Sequence, residues 1–402
     1  MSETATTTAV SDMFRPGFAR NPFPVYEALR EGPPVQATFP NGERFWLVTR
    51  YKDVLTVFKD RRFTTDYTPF LDPDNIPELL RGDRSIVTLD GEDHARMRRL
   101  AGQAFTPRLV ESMRPRIQQI TDELLDAVLK KGEMDLVNDF AFLLPMTVIQ
   151  EVLGVPFEDR ERCRKGSNAL LNAIDPSRGA PTPELMADLQ DFFEYVRTLI
   201  DAKRANPQDD LLSGLVQAHE QGDTLSEEEL QALLRALIIA GHETMVCLVS
   251  LGTLELLNDP ALLERLRDNP DQIPAAVEEF LRLLSVATAG AVRYATEDVE
   301  MSGQLIRRGE TLLPLVAAAN HDPAQFACPH RFHEANIEGR HLAFGQGAHY
   351  CLGAPLARVE GQIAFATLLR RLPNLRLSDA ADAVVWANHW NVRSLKQMLV
   401  EF

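Results

Sequence analysis

Apolar residues recur at three- and four-residue spacing through most of the chain and alternate in only a few short stretches, which predicts a mainly helical protein with small β-sheets. NPFPVYEALREG makes the first amphipathic helix, stopped at Gly32 and the two prolines that follow. RFWLVTR alternates as a half-buried strand does, and YKDVLTVFKD returns to helical spacing. Between Phe63 and Arg84, prolines and aspartates interrupt short apolar patches, so an irregular loop or short helix is expected. DGEDHARMRRLAGQAFTPR opens on turn residues and continues as a basic helix. Long helical patterns then run from Val110 to Leu153 with a break at Gly132, followed by two amphipathic helices joined by PSRGAPTP.

The longest helix is expected from Ser226 to about Asn258, where Asp259 and Pro260 stop it. Ser226 and Glu229 have capping-box spacing, which fixes its start. At ~1.5 Å per residue it spans roughly 50 Å, and LLRALIIAGHETMVCLVSLGTL has so few polar breaks that it must run through the middle of the protein. IPAAVEEFLRLLS gives another helix. VRYATEDVEMSGQLIRRGETLLPLV reads as short strands, APLARVEGQIAFATLLRRL as a helix, and NHWNVRSLKQMLVEF as a closing strand region.

Composition narrows this picture. The 402 residues exceed the usual size of one core, yet no linker divides them, so a flexible lead over 1–20 and a single domain over 21–402 are expected. A formal charge of -16 argues against nucleic acid as a partner. MSETATTTAVSDMF lacks the basic start and apolar core of an export signal. The best apolar run, AFLLPMTVI, is too short to cross a bilayer, so no membrane association is expected. Four scattered cysteines suit a reducing cytoplasm.

Candidate chemistry concentrates in FGQGAHYCLG, Phe344 to Gly353. It combines freely rotating glycines with one thiol, Cys351, set just before a helix. A helix N-terminus favours the thiolate, the form of cysteine that binds metals. Two other readings exist: a small buried hydrophobe, or zinc held by Cys351 and Cys328 with His321, His330, His333, His341 and His349, although no C-x-x-C pair is present. A second polar island, Gly241-His242-Glu243-Thr244, interrupts the apolar central helix. A buried acid needs a partner; alternatively Thr244 bonds the carbonyl one turn back and marks a kink. His94 and Arg98 share one face of the basic helix and can hold a carboxylate. Glu279 and Arg282, at i and i+3, ordinarily make a surface ion pair of little value.

FGQGAHYCLG resembles the haem-ligand loop of the cytochrome P450 family, Phe-Gly-x-Gly-x-His-x-Cys-x-Gly, at all six specified positions. Other segments resemble the family in order from about Asn21 onward. The resemblance implies the P450 fold, a large helical bundle around buried haem b with small antiparallel sheets. It implies a monooxygenase with Cys351 as axial iron ligand, Phe344 and Gly345 in the cofactor loop, and His94, Arg98, Arg293 and His349 on the haem propionates. AGHET resembles the oxygen-activating signature, so Thr244 and Glu243 would pass protons, with Gly241 letting the helix bulge. The hairpin over 159–204 resembles the mobile lid of the substrate channel. Glu279 and Arg282 would brace the haem loop, but Asn336 stands where the family has the third member, an arginine, so either the triad is incomplete here or a neighbour such as Arg331 or Arg340 substitutes. His321 likewise replaces the arginine of the usual Asn-Arg-Asp-Pro segment.

The same resemblance implies a monomer receiving electrons from external NAD(P)H through ferredoxin reductase and ferredoxin. An acidic partner would dock on Arg96, Arg99, Arg340 and Arg358. Ile239, Ala240, Val286 and Val292 are expected to line the pocket for an apolar, bulky small molecule to be hydroxylated or epoxidised, in keeping with secondary metabolism. Two alternatives use the same loop: a peroxide-driven haem oxygenase and a non-catalytic haem sensor. The intact acid–threonine pair argues against both.

Overall fold

Helices form where the spacing places them. In the computed structural model they are α1 (Phe23–Arg30), α2 (Tyr51–Lys59), α3 (Gly91–Ala101), α4 (Leu143–Leu153), α5 (Arg160–Ala173), α6 (Pro183–Ala205), α7 (Glu227–Asn258), α8 (Ile273–Leu284) and α9 (Ala354–Arg371), with shorter helices between them. The structure describes residues 9–402 apart from 16, 72–83, 176, 179–180, 221–224, 338–339 and 388. Most of the loop expected between Phe63 and Arg84 thus lies outside the described residues.

The start of α7 is fixed as expected. The Glu229 N–H donates to Ser226 Oγ at 3.2 Å, and the Ser226 N–H donates to Glu229 Oε2 at 2.9 Å. Leu230, Leu233, Leu234, Leu237, Leu248, Leu251 and Leu256 are buried on several sides of the helix, so α7 is the axle of the main core, packed against α4, α6, α8 and α9. Burial all round, and not one apolar stripe, makes its sequence hydrophobic throughout. The expectation that no stretch is apolar enough to cross a bilayer is therefore corrected. Leu136–Leu153 and Glu227–Asn258 both pass that test on length and hydropathy, with 72% and 61% of their most apolar windows buried inside the protein. A core helix and a membrane helix have the same composition for the same reason.

Among the described residues the strands make one five-stranded sheet, one four-stranded sheet and a hairpin. The larger sheet has Arg44–Val48 beside Val35–Thr38 on one side and, in the only parallel pairing among the described strands, beside Thr311–Pro314 on the other; Arg293–Ala295 and Phe63–Thr64 complete it. In the smaller sheet Leu395–Glu401 pairs Val384–Trp386, Glu133–Asp135 and Arg376–Leu377. A separate core beneath the larger sheet includes Val10, Met13, Phe18, Tyr26, Phe39, Leu47 and Leu313. Residues of this core begin before the boundary expected at residue 21. Residues 1–8 are outside the described residues, but Ala9, Val10, Met13 and Phe18 are already buried, because Phe18 has the Tyr26 ring to pack on at 5.8 Å.

His321 sits where this core meets the segment leading to the cysteine loop. Its Nδ1–H donates to the Ala317 carbonyl at 2.7 Å, and its ring stacks on His330 and against Phe23. Burial, with Arg282, His330 and Arg393 nearby, pushes its pKa well below the ordinary 6.5. The unfolded chain therefore binds a proton that the folded one refuses. Stability from this site is complete above about pH 6.5 and is lost as the pH falls below it. Thermal unfolding across pH is expected to show a steeper acid loss in the parent protein than in His321→Gln, whose amide retains the bond to Ala317.

Candidate active site

The cysteine loop is built from backbone bonds. The Cys351 N–H donates to the Phe344 carbonyl and the Gly345 N–H to the Leu342 carbonyl, both at 2.8 Å. Gly347 has φ +76°, and a Cβ there would lie 2.4 Å from the Phe58 carbonyl oxygen, so only glycine lets the loop rest on the end of α2. The Arg358 guanidinium covers the Phe344 ring at 4.7 Å and grips Glu278 through two bonds of 2.6 and 3.0 Å. Burial would raise the Glu278 pKa, but bonds from His341 and Arg358 outweigh it and hold it at about 2.

Beneath the loop, Arg282 and Glu279 are 1% and 0% exposed, so this is no surface pair. Arg282 donates Nε and Nη2 to the two Glu279 oxygens at 2.7 Å each, and its remaining hydrogens to the carbonyls of Asn320, Pro329 and Arg331. The missing third arginine is answered here. Asn336 Nδ2 donates to Glu279 Oε1 at 3.1 Å, and the His333 N–H joins it at 3.0 Å. Neither suggested substitute takes the place: Arg331 contributes only its carbonyl and turns its guanidinium to Cys328.

Cys351 is exposed to a cavity of about 330 Å³ whose wall it forms in part. The helix end acts in the expected direction but against a larger opposing effect. Burial raises the thiol pKa, and the N–H groups of Gly353 and Ala354 with Arg98 and Arg358 only moderate the rise. Across the same cavity stand Leu237, Ala240, Gly241 and Thr244 of α7, and Arg98, Arg293, His349, Phe344, Gly345 and Val286 also line it. Among the described residues no group of three or more His, Cys, Asp or Glu could hold a metal ion, so the zinc reading has no geometry behind it.

One edge of the cavity is cationic. The His94 ring lies 4.1 Å from the His349 ring, tilted by 35°, with its Nε2 buried and unpartnered, and burial with the charges of His349 and Arg98 pushes its pKa down to about 4. Arg98 donates to the Tyr350 carbonyl at 2.6 Å. Arg293 Nη1 donates only to the carbonyls of Ala291 and Val292, and burial lowers its pKa to about 10. The sequence reading missed Asp90, which bonds His349 Nε2 at 2.9 Å and Thr64 and Thr65. Burial would raise the Asp90 pKa, but those bonds hold it well below the usual carboxylate range. The guanidiniums of Arg98 and Arg293, which bond backbone carbonyls on the edge of a cavity that has a thiol on its wall, with the buried, unpartnered His94 Nε2 beside His349, fit the two carboxylates of haem b.

Glu243 and Thr244 part company. Thr244 Oγ1 faces the smaller cavity, 3.4 Å from the Ala240 carbonyl, while Glu243 lines a second cavity of about 1300 Å³ together with Val292, Asn168, Asn172, Arg178 and His389. Helix α5 supplies part of that wall. Ile239, expected beside Ala240, lines neither cavity and packs on the main core. One residue along a helix turns about 100°, so the cavity stripe is 236, 237, 240, 241, 244, 245 and 248. Gly241 has a different reason from the expected bulge: the helix is regular there, and a Cβ would meet Ile149 of α4 at 2.4 Å. Glu360 of α9, another missed residue, also lines the smaller cavity; burial raises its pKa to about 8 and its Oε2 has no partner. Its signal was an acid set among apolar neighbours in APLARVEGQIAF. The proposed docking arginines are only partly available, since Arg96 grips Glu229 through two bonds and Arg358 grips Glu278.

A mainly helical body with a lone thiol and the polar break of its central helix on two sides of one cavity has the arrangement of a haem-thiolate oxygenase. The cytochrome P450 family model matches residues 20–374, and the chain belongs to that family. It is 45% identical over 371 residues, 89% of each chain, to cytochrome P450 CYP107DY1 of Priestia megaterium. It is 41% identical over 366 residues to the mycinamicin IV hydroxylase/epoxidase of Micromonospora griseorubida, covering 90% of this chain and 91% of that one. Among solved structures, P450BioI in complex with an acyl carrier protein carrying hexadec-9Z-enoic acid superposes with a TM-score of 0.87 at 37% identity, over 96% of this chain and 99% of that one. The protein is a cytochrome P450 monooxygenase, and haem iron with electrons from redox partners belongs to the family.

Proposed function

We propose that this P450 inserts one oxygen atom into a bulky, largely apolar small molecule of secondary metabolism, by hydroxylation or epoxidation. The observation that carries this reading is the pair of adjoining cavities: the smaller has Cys351 and Thr244 on its walls, the larger has room for a substrate, and both include Val87 and Ala289 to Ala291. The mycinamicin enzyme's name supports the substrate class by analogy. Haem b, when bound, supplies the oxidising chemistry on dioxygen. Cys351 would hold its iron, with Phe344 and Gly345 in the supporting loop, while His94, Arg98, Arg293 and His349 would take its propionates. Ala240 and Val286 would shape the reaction end, and Val292 the approach.

Thr244 would present its hydroxyl to the reacting oxygen and Glu243 would replenish the proton from the larger cavity. Electrons would come from NAD(P)H through a ferredoxin reductase and ferredoxin in the cytoplasm, the ferredoxin meeting a monomer on the face that carries Arg96, Arg99, Arg340 and Arg358. Thr244→Ala is expected to keep substrate binding and reduction, yet divert most electrons to hydrogen peroxide. Product and peroxide measured per NAD(P)H consumed decide this; unchanged coupling removes Thr244 from the pathway.

A further inference from the structure

We propose that His242 and Glu243 form a dyad sharing one proton, with His242 the positioning residue that holds the Glu243 carboxyl on the larger cavity and away from Thr244. This rests on the reading of Glu243 as the group that replenishes protons. His242 is fully buried in the middle of α7. Its Nδ1 lies 2.7 Å from the Ile238 carbonyl oxygen. A carbonyl only accepts, so Nδ1 carries a hydrogen. On the other side Nε2 lies 3.1 Å from Glu243 Oε1.

A bare Nε2 facing an ionised oxygen at that distance would set two lone pairs against each other in a buried site. The contact is a bond only with a hydrogen in it. That hydrogen sits on Nε2, giving imidazolium beside carboxylate, or on Oε1, giving two neutral groups; both forms hold the same proton. The other groups near Glu243 are cationic or titratable: Arg164 of α5, His389 from the loop before the final strand, and the buried Cys247 thiol one turn on, which donates to the Glu243 carbonyl at 3.1 Å. Beyond His389 lie Asp175, Arg178 and Lys396. Arg164 is itself fixed by Asn138 Oδ1 at 2.7 Å and by the Phe142 ring at 4.3 Å, and that ring also stands edge-on to His242. Burial raises the Glu243 pKa, but the His242 bond and these charges outweigh it and hold it below the ordinary value.

An isolated carboxylate would carry no proton at neutral pH. The dyad does, in a site next to the polar break of the helix. In the form with the hydrogen on Oε1, the neutral Glu243 carboxyl can leave the neutral His242 imidazole and turn to Thr244, whose hydroxyl takes that proton as it gives up its own. The carboxylate then returns to the larger cavity and is reprotonated there, so one proton leaves and one returns.

The test is nitrogen-15 NMR of imidazole-labelled, haem-loaded protein in its diamagnetic ferrous carbon monoxide form. In the parent, His242 Nε2 is expected to resonate as a protonated or strongly hydrogen-bonded nitrogen throughout the neutral range. In Glu243→Gln it is expected to shift to a bare, accepting nitrogen. Identical Nε2 shifts in the two proteins overturn the dyad, whatever the activity. In parallel, product per electron is expected to fall about a hundredfold in Glu243→Gln and about tenfold in His242→Phe, with the pH profile of the latter displaced. If Glu243→Gln loses coupling while His242→Phe keeps the parent profile, the dyad is wrong and the Glu243 pathway stands. If the NMR shift occurs but Glu243→Gln stays coupled, the dyad stands and the pathway falls.

Discussion

Cys351→Ala is expected to abolish the long-wavelength band of the reduced carbon monoxide complex, and monooxygenation with it, while the fold survives. The reasoning is local. The Cys351 thiol points into the smaller cavity, and the bonds that shape its loop come from the backbone: the Cys351 N–H to Phe344, and Gly345 to Leu342. Alanine keeps every one of them. Stability should therefore change by no more than about 1 kcal/mol, which separates loss of a ligand from loss of a fold. Absorption spectra of the dithionite-reduced protein under carbon monoxide, beside a thermal melt of the same sample, check both halves. A retained thiolate-type band would remove Cys351 as the ligand.

The second large effect is expected at Arg282. Arg282→Leu leaves the Glu279 carboxylate buried without its main partner and strips donors from three carbonyls at once. Breaking a buried pair from one side costs about 3–5 kcal/mol. The loss should appear as a lower denaturation midpoint and as incomplete haem retention, since Pro329 and Arg331 belong to the segment leading into the cysteine loop. Asn336→Ala removes one amide bond to the same carboxylate and should cost about 1 kcal/mol. Equal effects of the two variants would mean that the load is not carried by the guanidinium.

What could be read from the chain beforehand follows a physical division. Helix α7 and its capping box were legible because burial on all sides and an N-terminal cap leave signals within the helix itself. The cysteine loop was legible because glycine at 347 is forced by a backbone contact with Phe58, which permits no other residue. Partners across space were not. The reason for Gly241 lies in Ile149, almost a hundred residues earlier, and local sequence suggested a bulge where there is a close helix contact. Ile239 was misplaced because adjacency along a helix is not adjacency in space. The division of Glu243 and Thr244 between two cavities has the same origin, and so does the commitment of Arg96 to Glu229, which leaves the expected docking patch smaller.

Asn336 bears on how this part of the protein tolerates mutation. Where a second guanidinium would have been a side chain that mutation can remove, Arg282 instead seizes main-chain oxygens at 320, 329 and 331, and Glu279 takes a main-chain hydrogen at 333. Substitution cannot delete a carbonyl. Residues 329 and 331 can therefore vary without forfeiting the anchor, whereas at 333 proline alone, which lacks the hydrogen, would cut it. The neighbourhood of the cysteine loop is robust to exchange of its surface side chains and rests on two buried ones, Glu279 and Arg282, whose loss nothing nearby can make good.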